Sequence, residues 1–238
     1  MTMATKIPTV QDIVRAYNLL MRHIEDDAHD KLRAYGGIVR AGKGALVESI
    51  ARSIVEIAWH NLGGKMNRLS FDKEPIWVPI RKQYVNRIKD SKIRAHILKN
   101  IKNYVYKFKT DVHVNVDDVL VIGVECKAYT ENAMMKRIAV DGMFLKQAHP
   151  KSLNVLFQLE SQLGGDYGDI KKNIHYGSNP THTILSYFDN VDLNIITLLE
   201  GDRKVDRPIH KKKFYKPLKT ISVQRAVKIF EDLLMSSL

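Results

Sequence analysis

From Phe108 to Tyr129 the sequence reads FKTDVHVNVDDVLVIGVECKAY, an alternating stretch that runs into a nearly unbroken apolar one. Alternation at period two marks a strand with one apolar and one polar face, and a short continuous apolar run marks a strand buried on both. Phe108, Thr110, Val112, Val114 and Val116 take one face of the first strand, and Lys109, Asp111, His113 and Asn115 take the other. Asp117 and Asp118 are turn residues between the two runs, so the pair reads as an antiparallel hairpin. No chain folds with such a hairpin at its centre unless other elements cover it.

Those other elements are written around it at helical spacing. Thr9 is placed to N-cap a helix running to about Asp30, with Val10, Ile13, Tyr17, Leu20 and Ile24 on one stripe. YGGIVRAGKG is expected to break that helix before a second one over 44–61, which LGG ends. Residues 65–80 read as irregular, with Pro75 and Pro79 as breakers, and a helix is expected over 81–103. Beyond the hairpin come a helix from about Glu131 to Ala148, capped by Thr130, and a strand over 153–160. The connection has the length of a parallel crossover. A Gly-rich loop over 164–168, a short helix after Asn179 and Pro180, a strand over 193–200 and a C-terminal amphipathic helix complete the chain. Strands interleaved with helices give an α/β (α+β) fold, a mixed central sheet flanked by helices. At 238 residues it reads as a single domain over 1–238.

The apolar run ends on charge. Glu125 and Lys127 alternate along the strand and so share a face. A three-residue loop from Asp117 to Val119, or a five-residue one, sets Asp111 opposite Glu125 and Lys109 opposite Lys127, whereas a two-residue Asp-Asp loop sets Asp111 opposite Val124. Two carboxylates side by side repel and raise each other's pKa unless a cation sits between them. Their hard oxygens suit Mg²⁺, which takes one or two carboxylates and fills its shell with water and substrate phosphate. The plainer reading of Glu125 and Lys127 is a strand-end ion pair, with Asp111 solvated.

Charge narrows the partner. The formal net charge is +12, which points to a polyanion, nucleic acid before anionic membrane. Over 81–102 eight cations (Arg81, Lys82, Arg87, Lys89, Lys92, Arg94, Lys99, Lys102) face one acid, Asp90. Arg203, Arg207, Lys211, Lys212 and Lys213 gather beside Phe214 and Tyr215 in a second basic segment. Both are expected to carry phosphate contacts, a solvated surface being the alternative. No run of about 18 apolar residues is present, which excludes a spanning helix. The opening residues lack a secretory pattern, and the single cysteine, Cys126, builds neither a disulfide nor a cysteine zinc site. The chain reads as cytoplasmic, with no membrane partner.

Asp111, thirteen intervening residues, then Glu125-Cys126-Lys127, followed by a helix and another apolar strand, resembles the PD-(D/E)XK nuclease superfamily, and more narrowly type II restriction endonucleases. The resemblance covers about residues 44–160, leaving 161–238 to complete the sheet and supply DNA-contact and dimerisation elements. Thr110 departs from it, standing where the family often has proline. It implies a restriction-endonuclease-like core and a bacterial or archaeal homodimer. The implied activity is Mg²⁺-dependent hydrolysis of phosphodiester bonds in double-stranded DNA at a short specific site. Asp111 and Glu125 would be metal ligands and Lys127 the third catalytic group, and a further acid from an upstream helix falls at Glu48, with Glu56 as the alternative. His113 is then DNA-proximal or structural. A repair nickase, resolvase or transposition nuclease shares this core, and a non-catalytic nucleic-acid-binding protein would use Glu125 and Lys127 structurally.

Overall fold

The computed structural model describes residues 7–29, 35–72, 74–171 and 175–237. Its centre is a five-stranded sheet in the order β1-β4-β5-β6-β7, with β1 at Leu69–Ser70, β4 at Val112–Val116, β5 at Val119–Glu131, β6 at Leu153–Gln162 and β7 at Leu193–Thr197. β1, β4 and β5 are antiparallel neighbours, while β5, β6 and β7 run parallel, so the sheet is mixed as expected.

Alternation divides the two faces. Val112, Val114, Val124, Cys126, Val155 and Phe157 join one core with α2 (Tyr35–Asn61) and α7 (Thr220–Ser237). Phe157 and Phe230 meet there with ring centroids 6.2 Å apart, tilted by 49°. Such a pair is worth about 0.5–1.5 kcal/mol beyond its burial. The opposite face is covered by α5 (Asn132–Ala148), whose Leu145 packs over Gly123: a Cβ on that glycine would lie 2.4 Å from Leu145 Cδ2. The absent side chain is what lets α5 lie close to β5.

The hairpin reaches its register by an unexpected route. Asp117 and Asp118 both have positive φ, 52° and 62°, and form a two-residue turn that pairs Val116 with Val119 and Asn115 with Leu120. Two short side chains that tolerate the left-handed region make that turn accessible. Carried on regularly, this ladder would set Asp111 opposite Val124. A bulge intervenes: Val121 is the extra residue, and from there Val114 pairs with Ile122, His113 with Gly123 and Val112 with Val124. The expected three-residue loop is therefore replaced by a two-residue turn plus a bulge, and Asp111, one residue before β4, is brought to Glu125 all the same.

Elsewhere the helical readings shift. In α1 (Val10–His29) Thr9 Oγ1 accepts from the Asp12 N–H at 3.2 Å and Asp12 accepts from the Thr9 N–H at 3.0 Å, a reciprocal cap. Asp30 and the side chain of Ile24 lie outside the described residues. YGGIVRAGKG does not interrupt but belongs to α2, which begins at Tyr35, because glycine lowers helix stability by only about 1 kcal/mol and burial of the Leu46, Ile50 and Ile54 stripe outweighs it. The region read as irregular holds β1 and β2 (Ile76–Pro79), the latter paired with β3 (Val105–Phe108) as a separate two-stranded sheet. The single helix expected over 81–103 is two, α3 (Lys82–Arg87) and α4 (Ser91–Lys99). Asp90, the one acid among the eight cations, is the N-cap of α4, accepting from the Lys92 and Ile93 N–H groups at 2.8 and 3.0 Å. The cap of α5 falls on Glu131 rather than Thr130, which is buried within β5. The short helix α6 spans Asn179–Leu185, with the Ser178 side chain as its cap.

Candidate active site

Asp111, Glu125 and Lys127 converge on the α5 side of the sheet, at the open end of the β4–β5 hairpin. The Lys127 ammonium donates to Asp111 Oδ2 at 2.7 Å and to Glu125 Oε2 at 2.7 Å. A third donation reaches the Cys126 carbonyl at 3.2 Å. Asp111 Oδ2 also accepts from the Cys126 N–H at 2.8 Å, which ties the residue before β4 to the backbone of β5. Two carboxylate oxygens are thus held around one point by two strands, with little freedom to move apart.

The electrostatics follow from partial burial. The Glu125 side chain is 13% exposed, against 32% for Asp111 and 26% for Lys127. The Glu125 carboxyl is raised to about 7, chiefly by burial; the Lys127 ammonium opposes the rise, and Asp111 and then Asp141 add to it. Burial works against the Lys127 ammonium, but Glu125 and Asp111 outweigh it and hold its pKa above the ordinary value. With both acids ionised, two carboxylates share one ammonium and the centre carries a net negative charge. Hard oxygen donors converging on one point, in a partly dry setting short of one positive charge, fit a small divalent cation. Among the described residues no group of three His, Cys, Asp or Glu side chains forms a metal cage. The oxygens that could hold a cation here are those of Asp111 and Glu125, with water and substrate left to complete its shell.

The other acids singled out in the sequence, Glu48 and Glu56, lie on α2. Glu48 lies on α2, where its charge contributes to the rise of the Cys126 thiol, a group pushed well above its usual range chiefly by burial. Glu56 is two turns farther along α2; burial raises its carboxyl and Arg52 lowers it. His113 is 2% exposed, with Asp72 Oδ1 3.3 Å from its Nδ1 and the Thr110 N–H donating to Nε2 at 3.3 Å. Of its two descriptions the structural one fits this burial, and burial keeps the ring's pKa below its ordinary value despite Asp72. Arg203 sits at the far end of β5, its guanidinium 3.5 Å from the centroid of the Tyr129 ring and hydrogen-bonded to Gln162. Arg207, Lys211, Lys212 and Lys213 are exposed on the following segment, which makes a 3-10 turn over Lys212–Phe214.

Two groups near the site escape a reading by alternation. Asp141 comes from α5, where burial raises its carboxyl while Arg137 and Lys127 lower it. In the sequence it is an acid within a helix, with nothing to say which way it faces. Gln158 is buried on β6 in register with Lys127. Its only signal was to be one of three polar letters, with Asn154 and Glu160, in the otherwise apolar LNVLFQLE.

An Asp…Glu-X-Lys set on an antiparallel hairpin, followed by a helix and a parallel strand, defines the site as that of the PD-(D/E)XK nuclease class. No family model matches the chain. It belongs, however, to the type II restriction endonucleases: it is 48% identical over 228 residues to the type II restriction enzyme DdeI of Desulfomicrobium norvegicum (strain DSM 1741 / NCIMB 8310), a match covering 94% of this chain and 95% of that one.

Proposed function

We propose that the protein hydrolyses phosphodiester bonds in double-stranded DNA at a short specific sequence, with Asp111 and Glu125 holding Mg²⁺ and Lys127 as the third catalytic group. The observation that carries this is the placing of the Lys127 ammonium 2.7 Å from an oxygen of each carboxylate, in a member of a restriction-enzyme family. Bound there, a divalent cation would lower the pKa of a water and neutralise charge developing on the phosphate. The protein's share is geometric and electrostatic. β4 and β5 fix the two acids, so little reorganisation is needed on binding. Lys127 orients the attacking water and balances charge on the phosphate oxygens as the bond breaks. Glu48, carried on α2, is the candidate third acid.

The DNA would lie across basic surface. A groove of about 1150 Å³ between the β2–β3 sheet, α3 and α5 is lined by Arg81, Arg87 and Lys146 with Tyr84 and Tyr106, and among the described residues no acid lines it. Arg203, Arg207 and Lys211 to Lys213 form the second set of phosphate contacts. The working form would be a homodimer, since a two-fold protein matches a two-fold site. We take 1–238 as one domain acting in the cytoplasm of a bacterium or archaeon; among the described residues no helix is long and apolar enough to cross a membrane.

Incubating the protein with phage DNA and Mg²⁺ tests the reading: discrete fragments, absent when EDTA is added, are the expected result. Binding to DNA with no cleavage under any divalent cation would leave Glu125 and Lys127 as a structural ion pair.

A further inference from the structure

Gln158 is fully buried on β6, paired in register with Lys127 on one side and Thr197 of β7 on the other. Paired residues of parallel strands share a face, so its side chain stands beside that of Lys127 on the α5 side of the sheet. Its Nε2 donates to Thr197 Oγ1 at 3.0 Å, and among the described residues its Oε1 has no hydrogen-bond partner. Next to an ammonium, the carbonyl end of the amide is the end that charge selects to face β5. A buried acceptor without a donor is costly and uncommon, and invites the question of when it is used. Lys127 supplies the answer, because all three of its contacts are to groups of the site: Asp111, Glu125 and the Cys126 carbonyl. Once the two carboxylates turn their oxygens to a divalent cation, the ammonium loses its two strongest acceptors and is repelled from the point it held.

Resting on the nuclease reading above, we propose that Gln158 is the positioning residue for Lys127. Its side-chain carbonyl accepts the displaced ammonium, holding the lysine beside the reacting phosphate and out of competition for the metal's ligands. The role is confined to hydrogen bonding; no bond is made or broken at Gln158. Thr197 holds the amide nitrogen toward β7, which leaves the oxygen for Lys127.

The test is a Mn²⁺ titration of the full chain by calorimetry without DNA, alongside single-turnover cleavage with Mg²⁺. Gln158→Met, close in shape but without the acceptor, should lower Mn²⁺ affinity about tenfold and the cleavage rate by about 10–100-fold, the range typical of groups that orient a metal's ligands. Gln158→Glu, which keeps an acceptor, should restore Mn²⁺ affinity to near wild type. Equal Mn²⁺ affinity in wild type, Gln158→Met and Gln158→Glu would overturn the proposal, as would a loss in Gln158→Met that Gln158→Glu does not restore. Should Gln158→Met fail to fold, Gln158→Leu against Gln158→Glu makes the same comparison. A wild type that neither binds Mn²⁺ nor cuts DNA would fail earlier, and would take the nuclease reading with it.

Discussion

Lys127 is the residue whose two roles can be separated by experiment. As a strand-end ion pair it stabilises the fold, and its removal leaves Glu125 buried without a cation. As a catalytic group it acts on charge that develops during reaction, and its removal shows in rate. Lys127→Ala is expected to fold and bind DNA nearly as before and to cut about 10²–10⁴-fold more slowly, measured by single-turnover kinetics beside a melting curve on the same sample. A collapse in melting temperature with full cutting by the folded fraction would return the lysine to a structural role. Glu125 makes a second prediction through its raised carboxyl. Between its ordinary value and about 7 the folded, metal-free protein holds a proton that the unfolded chain releases. Stability must then fall as pH rises through that window, by up to about 3 kcal/mol, and Glu125→Gln should remove this dependence. Metal binding needs the ionised carboxylate, so Mg²⁺ affinity by calorimetry should climb with pH up to about 7 and level off above it.

At the scale of elements, the site depends on how closely α5 lies on β5. Gly123 permits that approach, since a Cβ there would meet Leu145 at 2.4 Å and Thr110 Cγ2 at 3.3 Å. Gly123→Ala should destabilise the protein by about 1–3 kcal/mol, read by denaturant unfolding, and should slow cleavage as β5 is pushed from the helix. The hairpin itself was legible, because period two and a shared face are local properties of FKTDVHVNV and VLVIGVECKAY. The bulge at Val121 was not: nothing in an apolar run says which valine goes unpaired, and the register is set by packing on both faces. α2 was truncated because Gly36 and Gly37 read as a stop, while the burial that overrides them lies far off in sequence. Asp90 could have been read, since Asp-Ser before a helical stripe is a cap signal. Asp141 and Gln158 reach the site from α5 and β6, and only the assembled sheet reveals them.

At the scale of the whole molecule, the net charge of +12 must be placed before it can be used. Exposed cations gather in two regions. One is the groove with Arg81 and Arg87 at its wall, and the other is the segment with Lys211, Lys212 and Lys213. Each contact to a phosphate releases condensed counterions, so the slope of log affinity against log salt counts such contacts, at about 0.9 per phosphate on B-DNA. Neutralising Lys211, Lys212 and Lys213 together should flatten that slope by about one unit for each lysine that touches phosphate, without changing which sequence is cut. Arg81→Ala with Arg87→Ala should do the same if the groove holds the duplex, and because the two regions share no residue their effects should add. Binding is best measured without divalent metal, by fluorescence anisotropy over a range of salt, so that cleavage does not intervene. An unchanged slope in either variant removes that region from the DNA interface, whereas a slope that flattens together with relaxed sequence preference shows that it reads bases as well as phosphates.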